Sequence, residues 1–261
     1  MASRKEQREE ARRQREEREA EEQARQRRKR RIWQIGAGVV VVVAIVVIAI
    51  LVAGSGGGSS KPKVQKSEAR NTQSMFSGLA QSGITLGNPQ AKVTLYEFAD
   101  LQCPFCREYT LSIFPQLVAK YVKPGKVKMV FRNLTFIGPD SVTAARAAAA
   151  AGAQNKLWDF VDLFYHNQET ENTGYVTQKF IDKIATAVGV DVPKLHTDMS
   201  APLVEQQLGA AQQQAAQFKI NSTPSFLIQV KGGKPQRLNY SNFQLNQFSG
   251  PIDAALKQAG Q

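Results

Sequence analysis

Both cysteines of the 261-residue chain fall in one tetrapeptide, Cys103-Pro104-Phe105-Cys106, at the border between a strand-like and a helix-like pattern. Upstream, Lys92-Val93-Thr94-Leu95-Tyr96-Glu97-Phe98-Ala99 is a β-rich run that starts after the turn residues Gly87-Asn88-Pro89. Downstream, Pro104 suits the first position of a helix, and Phe105, Tyr109, Ile113, Leu117 and Tyr121 recur every fourth residue, with Pro115 expected to kink that helix. Val127-Lys128-Met129-Val130-Phe131 reads as a second strand, so the arrangement is β-α-β and implies a parallel pair. Cysteines this close cannot tie distant parts of a chain together, which excludes a disulfide-stapled scaffold.

The remainder extends the α/β pattern. Asp140 is placed to cap an alanine-rich helix ending at Ala153, and Trp158, Val161 and Phe164 mark the apolar stripe of another. Thr177 opens a helix through Phe180, Ile181, Ile184 and Val188 that stops at Gly189, and Pro202 opens one from Val204 to Phe218. Ser225–Val230, the Gly232-Gly233 turn and Arg237–Tyr240 read as a hairpin, after which Ser249 and Pro251 are expected to open a terminal helix.

A Cys-x-x-Cys at a helix start after a strand has a physical logic. The first sulfur lies among free backbone N–H groups at the positive end of the helix dipole, which favours a thiolate. Cys103 is therefore the expected nucleophile. Cys106, one turn along, is positioned to close a small disulfide ring and to release a partner from Cys103. The alternatives are a fixed local disulfide, whose small ring removes little chain entropy, or half of a four-cysteine metal site, for which the chain lacks cysteines. His166 and His196 are distant in sequence, so no metal and no cofactor is expected; a copper site would need ligand spacings that these histidines and Met129 do not form.

The runs Gly83-Ile84-Thr85-Leu86-Gly87, Thr94-Leu95-Tyr96-Glu97-Phe98-Ala99-Asp100-Leu101-Gln102-Cys103-Pro104-Phe105-Cys106 and Ser222-Thr223-Pro224-Ser225-Phe226 resemble the DsbA-type thiol:disulfide oxidoreductases over about residues 83–259. The resemblance implies a thioredoxin fold interrupted by a helical domain, here about 139–218. It also implies that Thr223-Pro224 is a cis-proline element facing the cysteines, which presents backbone to a substrate and keeps metals off the thiols; a strand-initiating trans proline is the alternative reading. A similar acid precedes the pair in the family. Glu97, if buried, would have a raised pKa suited to exchanging a proton with Cys106; it would otherwise sit at the sheet edge, and Asp100 could take its role. Pro104 and Phe105 join Thr223 and Pro224 as expected substrate contacts, and Phe105 with Phe226 would form exposed apolar surface for unfolded clients. The family's strongly oxidising members carry Pro-His between the cysteines. Pro104-Phe105 offers no cationic imidazole, which implies a potential below about −120 mV. Arg107 restores some positive charge near Cys106 or lies in solvent.

The N-terminal third reads differently. From Ile32 to Ala53 every residue except Gln34 is apolar or glycine, which is 22 residues against the roughly 20 that span a bilayer core. A retained transmembrane helix is expected, rather than a signal peptide with its apolar region of about 7 to 15 residues. Residues 1–31 hold 13 basic and 8 acidic side chains, a net 13 − 8 = +5 of the chain's +12, and end in Arg27-Arg28-Lys29-Arg30-Arg31. Basic residues at a helix end stay cytoplasmic, so the domain after the helix is expected outside the cytoplasm. Mixed charge signs without interleaved aromatics speak against nucleic-acid binding by this tail. Residues 54–82, opening with Gly54-Ser55-Gly56-Gly57-Gly58-Ser59-Ser60, read as a flexible polar linker to a domain at 83–261.

The function expected is that of a single-pass, membrane-anchored oxidoreductase of exported proteins with reduced or mispaired cysteines, recycled by a membrane or soluble redox partner. A disulfide donor is the leading reading. A reductase or isomerase, or a non-catalytic client-binding module, are its alternatives.

Overall fold

The computed structural model describes residues 66–261. The expected tail at 1–31, transmembrane helix at 32–53 and Gly/Ser stretch lie outside them. Among the described residues no helix is long and apolar enough to cross a membrane. The part of the chain from Pro62 to Gln261 is one compact unit, and its core clusters close entirely within residues 69–256.

The first element corrects the linker reading. Lys66–Phe76 forms helix α1, although its composition is largely polar. Ala69, Thr72 and Phe76 are buried, a helical spacing in which a threonine stands where an apolar residue would make the face recognisable. The strands are β1 (Gln81–Ser82), β2 (Thr85–Leu86), β3 (Val93–Ala99), β4 (Val127–Asn133), β5 (Ser225–Val230) and β6 (Gln236–Leu238), in the order β1-β2-β4-β3-β5-β6. β3 lies at the centre, parallel to β4 and antiparallel to β5, as the β-α-β order implied. Both faces of β3 are covered. Val93, Leu95 and Ala99 join the larger core, and Phe98 joins a smaller one with Leu134, Ala211, Ala215, Ile220 and Leu227.

Helix α2 (Pro104–Ser112) follows the cysteine turn, breaks at Ile113, and continues as α3 (Phe114–Leu117), with Pro115 in its first turn, and a π-helical turn at Val118–Val122. Proline has no N–H to continue the ladder, which is why the break falls here. The helical insert between β4 and β5 comprises α4 (Pro139–Ala153), α5 (Leu157–His166), α6 (Gln178–Ala187), α7 (Val192–Asp198) and α8 (Pro202–Gln217). Thr177 caps α6 by accepting from the Phe180 N–H. Asp140 does not cap α4: Gly138 is the N-cap, and the Asp140 carboxylate instead accepts from the Gly174 N–H.

The terminal helix α9 runs from Leu245 to Gln258, with Pro251 inside it rather than at its start. Phe248, fully buried against Tyr109, Phe226 and Tyr240, draws the earlier turn into the helix. Burying a phenylalanine contributes about 2–3 kcal/mol, comparable to the ~3 kcal/mol cost of an interior proline.

Candidate active site

The chain leaves β3 at Ala99 and turns through Asp100, Leu101 and Gln102 before helix α2. Asp100 organises this turn. One carboxylate oxygen accepts from Gln102 N–H at 2.8 Å, and the other from Phe136 N–H at 2.7 Å and Ile137 N–H at 3.1 Å. Both carboxylate oxygens are engaged by backbone N–H groups, so Asp100 holds the loop. The Asp100 carbonyl in turn accepts from Cys103 N–H and from the Tyr165 hydroxyl.

Cys103 is the N-cap of α2, in extended conformation. Its sulfur lies 3.3 Å from the carbonyl oxygen of Thr223, and the Thr223-Pro224 peptide bond is cis. A hydrogen bond from Cys106 chiefly, aided by Thr223 and by the backbone N–H groups of Cys106 and Phe105, holds the Cys103 thiol down to about 6 against the opposing effect of burial. Cys106 is completely buried. Burial first, and then its hydrogen bond and proximity to Cys103, push its thiol well above the usual range. One sulfur is a thiolate at neutral pH and its neighbour keeps its proton.

Glu97 is buried in the middle of β3, opposite Phe131 on β4 and Phe226 on β5, which rules out the sheet-edge position. No hydrogen-bond partner faces its carboxyl among the described residues, and burial raises it to about 8. Tyr109, Tyr165 and Tyr240 are pushed up by burial first, with the charges of both Glu97 and Cys106 adding to the shift. The crevice Glu97 lines with Thr110, Phe114, Trp158, Val161 and Asp162 is too narrow to admit a water molecule.

Beside the dithiol lies a groove of about 420 Å³ lined by Phe105, Glu108, Thr223, Pro224, Tyr240 and Phe243, among others. Phe105 is 61% exposed there, whereas Phe226, expected on the surface with it, is 1% exposed because it packs into the Tyr109, Tyr240 and Phe248 rings. Arg107 is exposed and donates from Nε to the Tyr165 carbonyl at 2.9 Å.

Sequence reasoning missed two sets of residues. Tyr240 donates to the Pro224 carbonyl at 2.7 Å, bracing the cis-proline loop from the far side. The helical insert also clamps the cysteine turn: Gln168 donates to the carbonyls of Leu101 and Cys103, Asn172 N–H to Gln102, and Gln102 to the Tyr175 hydroxyl. His166 and His196, by contrast, are engaged away from the sulfurs, with Asp162 and Asp182.

A family model described as thioredoxin matches residues 80–242, from β1 through the cis-proline loop to the residues after Tyr240. The chain belongs to the thioredoxin family. Within that family it is similar to a probable disulfide bond formation protein D of Bacillus cereus, 30% identical over 178 residues, which are 67% of this chain and 79% of that protein. The disulfide bond formation protein D of Bacillus subtilis is 26% identical over 56% of this chain and 67% of its own length. Among solved structures, a thioredoxin-like oxidoreductase from Silicibacter pomeroyi is 29% identical with a TM-score of 0.52, covering 71% of this chain and 97% of that one. Oxidised BdbD from Bacillus subtilis shares the fold at 24% identity and a TM-score of 0.58, covering 69% and 97%. With a low-pKa cysteine before a protonated one at a helix start, this thioredoxin-family chain is a thiol:disulfide oxidoreductase.

Proposed function

We propose that the protein is a membrane-anchored, extracytoplasmic disulfide donor that passes a Cys103-Cys106 disulfide to exported proteins with reduced cysteines. The observation that carries this reading is the Cys103 thiol held down to about 6. A nucleophile stabilised as thiolate makes the reduced state the favoured one, and a favoured reduced state makes the disulfide an oxidant. Cys103 forms the mixed disulfide, Cys106 resolves it, and Glu97 exchanges the proton of Cys106. The backbone of Thr223 pairs with the client while Pro104, Phe105 and Pro224 flank it. The groove with its exposed phenylalanine suits extended, apolar client segments. The names of the Bacillus relatives, disulfide bond formation protein D, support the donor direction.

The anchor rests on the 22-residue apolar run at 32–53 and the basic cluster before it. It places residues 1–31 in the cytoplasm, with 54–65 and the start of the compact unit as the connection to a domain outside. A membrane or soluble partner then reoxidises the pair.

The test is the equilibrium reduction potential of residues 62–261 against glutathione. A value above about −180 mV supports a donor, whereas one near about −270 mV overturns it in favour of a reductase supplied with electrons across the membrane.

A further inference from the structure

One end of the central sheet gathers a cluster of lysines. Val93, at the start of β3, pairs with Val127 at the start of β4 and with Val230 at the end of β5. Lys92, Lys126 and Lys231, each one residue beyond these positions, therefore share one end of the sheet. Lys128 reaches the Pro89 carbonyl there, and Lys92 reaches the Ala259 carbonyl, which brings the end of α9 and Lys257 to the same pole. Lys123 follows the π-helical turn, and Lys234 lies in the β5–β6 turn. None of these seven lysines forms an ion pair with a carboxylate among the described residues, and all except the half-buried Lys128 are exposed. The stretches 87–94, 118–128, 228–236 and 254–260 contain no aspartate or glutamate. Asp253, four residues before Lys257 on α9, is engaged by Lys120 and Tyr121.

At the other end of β3 the chain reaches Cys103. The seven-residue strand separates the two poles by about 20 Å. At the thiol end the exposed Glu108 lines the groove beside the thiols, and the exposed Arg107 adjoins Cys106 in sequence.

We infer that the lysine pole is a docking surface for an anionic phospholipid bilayer, which turns the dithiol away from the membrane toward its clients. The inference rests on the anchored reading: the 12 residues 54–65 reach at most about 40 Å, which would keep the domain within range of a bilayer surface. An anionic surface attracts the lysine pole more strongly than the thiol end, where the exposed Arg107 and Glu108 are of opposite sign. The patch is all lysine, with no arginine fork to read a single phosphate, which fits a diffuse field of headgroups. A lysine near an anionic membrane surface strengthens binding by about fivefold.

The test is sedimentation of residues 62–261 with vesicles of phosphatidylglycerol or of phosphatidylcholine. Binding is expected to the former at low salt and not the latter, with loss at about 0.5 M NaCl, where screening shortens the range of surface charge to a few ångströms. The variant Lys126→Gln/Lys231→Gln/Lys234→Gln/Lys257→Gln is expected to bind at least about 100-fold more weakly. These four side chains are exposed and hydrogen-bond to nothing in the fold, and unchanged Cys103 alkylation verifies that the variant is folded. Absent binding by the parent fragment, equal binding by the variant, or equal binding to phosphatidylcholine overturns the inference. Equal affinity for duplex DNA also overturns it, because the pole is then a general polyanion patch. Fractionation of the full chain tests the anchor separately: a chain found in the soluble fraction whose 62–261 fragment binds vesicles overturns the anchor and sustains the surface. A chain retained in membranes whose fragment ignores vesicles overturns the surface alone.

Discussion

The Cys103 sulfur lies 3.3 Å from the Thr223 carbonyl oxygen, across 120 residues of sequence. This contact closes the site: a helix start supplies N–H groups on one side of the sulfur, and the loop before β5 supplies a backbone edge on the other. On the proposed function, a client strand pairing with Thr223 would bring its own cysteine to the sulfur that is ionised.

The two cysteines therefore divide the exchange unequally. Cys106→Ser is expected to accumulate a mixed disulfide with a reduced client, seen as a larger band on non-reducing gels. Cys103→Ser is expected to form none, because the remaining thiol is fully buried and protonated. Trapping by Cys103→Ser in place of Cys106→Ser would reverse the assigned roles.

Alkylation of the reduced protein is expected to follow a single ionisation near pH 6, so that at pH 7 the rate is within about 10% of its plateau. The same shift has a stability consequence. The Cys103 pKa is lower in the fold than in the unfolded chain, so the reduced form gains stability as pH rises from about 6 toward the ordinary thiol range near 8.5, and loses it on acidification through 6. The oxidised form has no thiolate and gains nothing over this window. Urea unfolding of both forms at pH 5.5 and 8 measures the difference; parallel pH dependences would refute it.

Glu97 carries the opposite sign. Its carboxyl is raised to about 8, so between the ordinary range near 4.5 and 8 the folded state holds a proton that the unfolded chain releases. The Glu97 contribution to stability then falls with rising pH across that window, and in the reduced form it opposes the Cys103 contribution above about pH 6. Glu97→Gln is expected to flatten this slope and, having no ionisable carboxyl, to slow release of the mixed disulfide about 10- to 100-fold, within the range of general acid–base contributions. Denaturant midpoints at pH 5 and 8, with stopped-flow release kinetics, check both. An unchanged release rate would leave Glu97 as a buried structural acid.

Local signals in the sequence were legible where the physics is local. Thr177 and Gly189 bracket α6 because a cap hydroxyl and a left-handed glycine act within a few residues. The Cys-x-x-Cys at the helix start and the cis Thr223-Pro224 were legible by motif. What escaped depends on long-range geometry. The Gln168 clamp on Leu101 and Cys103 bridges 65 to 67 residues and leaves no periodic trace. Phe226 looks like surface beside Pro224 until α9 arrives over it, and α1 hides because Thr72 faces inward to bond Asp162.

Phe105 stands between the two cysteines, 61% exposed, and offers neither charge nor donor to the Cys103 thiolate. A histidine there places a cation near that sulfur whenever the imidazole is protonated, which further stabilises the reduced state. An interaction of about 1–2 kcal/mol corresponds to roughly 20–45 mV for a two-electron couple. Phe105→His is therefore expected to raise the reduction potential by about 20–45 mV and to lower the pH midpoint of Cys103 alkylation. Because the side chain is exposed, the fold should tolerate the change with little loss of stability. Glutathione equilibration of parent and variant at pH 6 and 8 decides the matter: the gain should be larger at pH 6, where the imidazole carries its charge, and an equal gain at both values would assign the effect to the loss of the phenyl ring instead.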